Sequence, residues 1–387
     1  MKTTLLRPWH EAAGARFAPF AGFDMPIQYP AGAVGEHRLC RRSAGLFDID
    51  HMGRFLVFGE GAGKALSAQV SGAVLDMGAG EARYSLLLNE AGGIVDDLFI
   101  YRLGEGGGRR DLWLVVVNAG NRETDYAWFR ERLPRAVSLE DLSGETYMIA
   151  LQGPRAVELL DRLASPGGQE VLPGGAPGAA LVSAIPRARM GALTLAGIPV
   201  LAGRTGYTGE DGAELFYGAS QARVLWEALL TEAAAAGIEA GPVGLAARDS
   251  LRFEAGMPLH GHEISPSISP LEALLSWACD FTKDFTGKEA LAAQKAAGLK
   301  RKLATLNVTG GVPREGYRVL TPAGEETGVV AAGMFCPTVG TYSANAFVPP
   351  ERAVPGTRLA VEIRGNAKEA VVVKRPLYTP VYRRAGK

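Results

Sequence analysis

The sequence predicts an α+β protein in which two mixed helix-and-strand regions precede a region of strands alone. Three observations carry this. The chain has 387 residues, about twice what one hydrophobic core organises, so more than one domain is required. Helical and strand patterns interleave up to residue 254, as in a helical layer over a sheet. From residue 303 only short alternating runs recur between turn signals, the pattern of a small β-barrel or sandwich.

In chain order, residues 62–70 and 122–133 read as helices, and 84–88, 94–103 and 112–117 as strands. Two Gly/Pro-rich stretches, 104–108 and 166–177, read as loops. A helix over 155–163 opens the second mixed region, which ends near a helix over 245–254. The last region shows alternating runs at 302–308, 328–330, 344–348, 358–363 and 369–373, because half-buried strands point successive side chains to opposite faces.

Composition narrows the function. A hydrophobic fraction of 47% with 21% charged residues is that of a folded globular chain. Lys+Arg and Asp+Glu both total 41, so no net field draws the protein to nucleic acid or an anionic membrane. The longest apolar stretches, such as 112–117, are strand-sized and too short to span a bilayer. No apolar signal core precedes Trp9, which predicts a cytosolic address. Cys40, Cys279 and Cys336 lack metal or disulfide spacing and read as reduced thiols.

Few residues offer chemistry. Asp96 and Asp97 sit inside an apolar strand, where period-two alternation sends them to opposite faces. A carboxylate that faces an interior needs a partner or a function, so the inward member is a candidate. Asn118 ends the next strand, where an amide can orient a ligand by donating and accepting. The densest polar motif is Arg204-Thr205-Gly206-Tyr207-Thr208-Gly209-Glu210-Asp211-Gly212-Ala213-Glu214. It lacks the Lys-Ser/Thr of a phosphate loop, so a structural or non-phosphate ligand loop is preferred. His260-Gly261-His262-Glu263 reads as a polar turn rather than a metal site. No Gly-x-Ser-x-Gly elbow is present. These patterns alone lead to a multidomain enzyme or ligand-binding protein with a candidate carboxylate.

A set of ordered stretches goes further: Phe20-Ala21-Gly22-Phe23-Asp24-Met25-Pro26, His51-Met52-Gly53, Gly92-Gly93-Ile94-Val95-Asp96-Asp97-Leu98, Ala150-Leu151-Gln152-Gly153-Pro154, Thr205 through Gly212, and Ala247-Arg248-Asp249-Ser250-Leu251-Arg252. Through them the chain resembles the aminomethyltransferase (T-protein) family of the glycine cleavage system, over nearly its whole length. The resemblance implies an α+β cloverleaf of three domains around a central folate channel. These are a discontinuous folate-binding domain over 1–53 and 151–265, an inserted ferredoxin-like domain over 54–150, and a C-terminal β-barrel over 266–387. It implies tetrahydrofolate as cosubstrate and a lipoylated H-protein as transient partner, with release of ammonia. Asp97 matches the catalytic acid, Glu214 and Arg248 the pterin-reading pair, and Met52, Asn118 and Tyr382 residues that line the folate site. Two departures stand out: Asp50 replaces the serine usual before His-Met, and 339–345 replaces a lysine-containing stretch. The alternatives are a folate-dependent demethylase of a small methylated donor and a non-catalytic folate-binding protein of the same fold.

Overall fold

The computed structural model describes residues 1–167, 176–380 and 382. The chain forms two compact units, residues 1–85 with 98–249 and residues 86–97 with 250–387.

A seven-stranded sheet organises the first unit, in the order Ala164–Ser165, Met190–Leu195, Ile198–Gly203, Gly212–Gly218, Thr146–Gln152, Ala44–Asp48 and Ala240–Pro242. Its neighbours pair antiparallel except the last two, which run parallel. The strand Thr146–Gln152 is buried at every position, as a central strand must be. Helix Ala222–Ala235 packs on the sheet because Ala222, Leu225, Trp226, Leu229 and Ala233 recur at helical spacing and are all buried. Each large side chain in that stripe contributes about 1.5–3 kcal/mol of burial. A five-stranded sheet runs Ala82–Leu88, Ile94–Gly106, Arg109–Val117, Gly53–Phe58 and Ser138–Asp141.

The second unit contains a closed barrel of Lys302–Val308, Thr341–Val348, Glu326–Cys336, Arg318–Leu320, Arg358–Ile363 and Asn366–Val373. Its core is small and aliphatic, with Leu306, Val319, Val330, Ala344, Ala346 and Val361 almost fully enclosed. Closure leaves no strand edge open.

Ala44–Asp48, Thr146–Gln152 and several other elements were not named from the sequence, while those that were named recur at or near their expected positions. The exception is 104–108, read as a loop. The strand Ile94–Gly106 continues through Gly104 and Gly106, which pair with Leu112 and Arg109 across two register shifts. Bulges accommodate the glycines that signalled a break. Of the second glycine-rich stretch, residues 168–175 lie outside the described residues. All three cysteines are buried thiols outside any disulfide, and burial pushes the Cys40 thiol up to about 12. No helix among the described residues is long and apolar enough to cross a membrane.

Candidate functional site

The loop 204–212 is fastened at both ends. Arg204 donates to the carbonyls of Val182, Ile185 and Gly212 and to Asp211, while Arg41 donates to the Thr208 carbonyl and Glu210. Gln152 reaches under it, donating to the Thr205 carbonyl at 3.1 Å and accepting from Thr208 Oγ1 at 3.0 Å. A Cβ at position 206 would stand 2.0 Å from Gln152 Oε1. Glycine at 206 therefore serves the loop's own packing.

Glu214 follows on the strand Gly212–Gly218, where it pairs with Ala150 and Gly203. Its Oε2 accepts from Thr205 Oγ1 at 2.6 Å and lies 3.2 Å from the Tyr101 hydroxyl. Desolvation holds its carboxyl above the ordinary glutamate value, and Thr205, the Arg248 charge and Tyr101 only partly offset that. Arg248, on helix Leu245–Glu254, lies over the Tyr207 ring at 4.3 Å. The predicted pair is thus brought together on one unit: a recessed acceptor, a fixed cation and an aromatic face. That set suits a flat, polar heteroaromatic edge presenting N–H donors.

Met52 lies in a turn held by one buried side chain. Arg54, fully enclosed, donates through Nη1 to the carbonyls of Asp50 at 3.1 Å and Met52 at 2.7 Å. Its Nη2 reaches Asp50 Oδ1 and the carbonyls of Ser143 and Thr146, and its Nε reaches Thr146 Oγ1. Asp50 is thus a ligand of Arg54, not a surface change. Burial drives its carboxyl up to about 7, with the Arg54 charge opposing the shift. His51 is enclosed beside Phe20 and Phe23, and burial followed by the Arg248 charge pushes it down to about 3, so it is neutral. Gly53 pairs with Val117, which places Met52 and Asn118 at one end of the same ladder.

The aspartates do take opposite faces: Asp96 is fully buried with Ile94 and Leu98, while Asp97 shares the half-buried face of Val95 and Phe99. The inward member is therefore Asp96, and the residue matched by resemblance is the more accessible one. Asp97 and the half-buried Tyr382 belong to the second unit. There the departing stretch 339–345 ends in the barrel strand Thr341–Val348, and Asn345 is interior, accepting from Thr305 and donating to Glu263 at 2.7 Å. Glu263 also takes Arg252 Nη1 on both oxygens at 2.9 Å, so this member of the His-Gly-His-Glu cluster is held in an ion pair.

Sequence reasoning passed over Thr205 and Tyr101 as partners of Glu214, and Arg54 as the turn's fastener. Tyr101 lay four residues beyond Asp97 on the same predicted strand, a usable signal; nothing in the sequence linked Arg54 to residue 50.

A mixed α/β fold with a closed barrel, and a carboxylate acted on by a nearby guanidinium charge, fit the class of group-transfer enzymes. Residues 6–283 match the GCVT N-terminal domain and 301–379 the Glycine cleavage T-protein C-terminal barrel domain. The aminomethyltransferase of Symbiobacterium thermophilum is 42% identical, with 99% of each chain covered. That of Geobacillus thermodenitrificans is 41% identical, with 98% of each chain covered. The crystal structure of glycine cleavage system aminomethyltransferase T from Bartonella henselae superposes with a TM-score of 0.85 at 34% identity, covering 98% of both chains. The chain belongs to the glycine cleavage T-protein family, and its activity is that of an aminomethyltransferase.

Proposed function

We propose that the protein moves the one-carbon unit from an aminomethyl-lipoyl H-protein to tetrahydrofolate and releases ammonia. The observation that carries this reading is Glu214, recessed beside Arg248 with one carboxylate oxygen engaged by Thr205. A pterin edge offers adjacent N–H donors to such an acceptor. In this reading Glu214 and Arg248 bind the pterin, and Met52, Asn118 and Tyr382 line the folate. The three domains follow the boundaries 1–53 with 151–265, 54–150 and 266–387, and the protein works in the cytosol.

In the reaction the carbon's bonds to sulfur and to the amine nitrogen break, and bonds to two folate nitrogens form. The two protons those nitrogens lose leave with the thiol and with ammonia. The carbon passes through an iminium-like stage, and Asp97 is assigned to orient the folate amine and balance that positive charge. It need not be a nucleophile.

The test is turnover with tetrahydrofolate and aminomethyl-loaded H-protein, against a panel of small methylated donors. Ammonia should rise in step with methylene-tetrahydrofolate. Folate binding without ammonia release would replace this reading with a demethylase. Asp97→Asn should retain folate binding and lose most turnover, with Asp96→Asn much milder; the reverse order would reassign the acid.

A further inference from the structure

We infer that Thr205 is the positioning residue of Glu214, fixing which carboxylate oxygen is offered to the ligand, and that Tyr101 in turn fixes Thr205. This deepens the folate reading above and rests on it.

Proton counting carries the argument. Three oxygens meet: Thr205 Oγ1 to Glu214 Oε2 at 2.6 Å, Tyr101 Oη to Thr205 Oγ1 at 2.7 Å, and Tyr101 Oη to Glu214 Oε2 at 3.2 Å. Each hydroxyl has one proton to donate. Assigning protons to the two short contacts gives one consistent chain, in which Tyr101 donates to Thr205 and Thr205 donates to Glu214. The longer contact is then secondary. Thr205 has a competing acceptor, the Gly203 carbonyl at 3.4 Å, and the Tyr101 proton on its lone pair turns its own proton toward Glu214. Such chains strengthen each member.

Two further features make this a positioning device. Tyr101 is fully enclosed and burial holds its hydroxyl protonated far above neutrality, so it acts as a fixed donor. No described residue hydrogen-bonds Glu214 Oε1, so that oxygen is left for a ligand. The titratable and charged groups that act on Glu214 are Tyr101 from the strand Ile94–Gly106 and Arg248 from the helix Leu245–Glu254; its strand partners Ala150 and Gly203 add none.

The experiment is calorimetric titration of the full-length protein with tetrahydrofolate across pH, for wild type, Thr205→Val, Thr205→Ser and Tyr101→Phe. Thr205→Val keeps the shape and removes the donor. It should weaken binding about tenfold and move the acid limb of the affinity profile to higher pH, because Glu214 then keeps its proton longer. KM for tetrahydrofolate should rise with kcat at saturation unchanged. Thr205→Ser should restore both affinity and profile, and Tyr101→Phe should give a smaller shift in the same direction. Should Thr205→Val fail to fold, Tyr101→Phe alone carries the test. Wild type that binds while neither donor-deleting variant changes affinity or profile overturns the assignment of Thr205 only. Wild type that does not bind overturns the folate reading itself.

Discussion

Glu214 and Glu263 are both desolvated glutamates, yet they are driven in opposite directions. Burial pushes both carboxyls up. At Glu263 the Arg252 guanidinium on both oxygens, then Asn345, Arg375 and the Leu259 amide, more than reverse that push. At Glu214 the neutral Thr205 hydroxyl, the Arg248 charge and the Tyr101 hydroxyl do not, and the carboxyl stays above its ordinary value. A directly bound guanidinium closes a carboxylate by satisfying its charge. A hydroxyl pins it in place and leaves its charge to be claimed by something else. The first arrangement is structural, and the second is the one the proposed function gives to a ligand.

The harshest way to break this comparison is Arg252→Met. It should cost about 3–5 kcal/mol, the penalty of leaving Glu263 buried and unpaired, read as a lower denaturation midpoint. A loss below about 1 kcal/mol would show that Glu263 is not closed in this sense. Glu214→Gln should instead leave stability unchanged or slightly raised while weakening tetrahydrofolate binding by about 1.5–3 kcal/mol. Equal thermal losses for the two sites would erase the distinction.

Asp50 sharpens it as an intermediate case, since Arg54 touches one of its oxygens and burial still prevails. The folded protein keeps this proton to about 7, whereas the unfolded chain releases it near the ordinary aspartate value of 3.8. The folded state holds the extra proton in that window, so wild-type stability falls as pH rises through it and levels off above. The stability of Asp50→Asn relative to wild type should therefore improve with pH across that range, by a total of roughly 2–4 kcal/mol. Parallel unfolding curves at both ends of the range would refute the shifted carboxyl. The smallest effect lies in the barrel. Arg364 and Gly365 form a two-residue hairpin loop with φ of 51° and 77°, a pattern that favours Asn-Gly. Arg364→Asn should raise stability by a few tenths of a kcal/mol, and a lower melting temperature would count against the assigned turn.

What the sequence disclosed follows from how local each signal is. Barrel strands such as Arg358–Ile363 were legible because alternation is written in consecutive residues. The opposite faces of Asp96 and Asp97 were legible for the same reason, but alternation could not say which of the two faces inward. The 104–106 segment was misread because pairing with the next strand overrides glycine's local preference. The Thr205–Glu214 contact depends on Gly203 pairing with Glu214, and Tyr101 comes from a strand more than a hundred residues away. The residues proposed to bind folate were reached through family motifs alone. Asp50 looked like a bare departure until Arg54 was seen to take it up.

The Arg54 bracket also bears on how this protein can vary. Its Nη1 spans the carbonyls of residues 50 and 52, while the rest of the guanidinium is committed to Asp50, Ser143 and Thr146. Lysine, with a single nitrogen, cannot serve so many acceptors in one plane. One extra residue between 50 and 54 would carry one carbonyl or the other out of reach. The His51–Met52 turn can therefore exchange side chains but not change length, and an insertion scan of this protein should find it among the most intolerant stretches, although it is a turn.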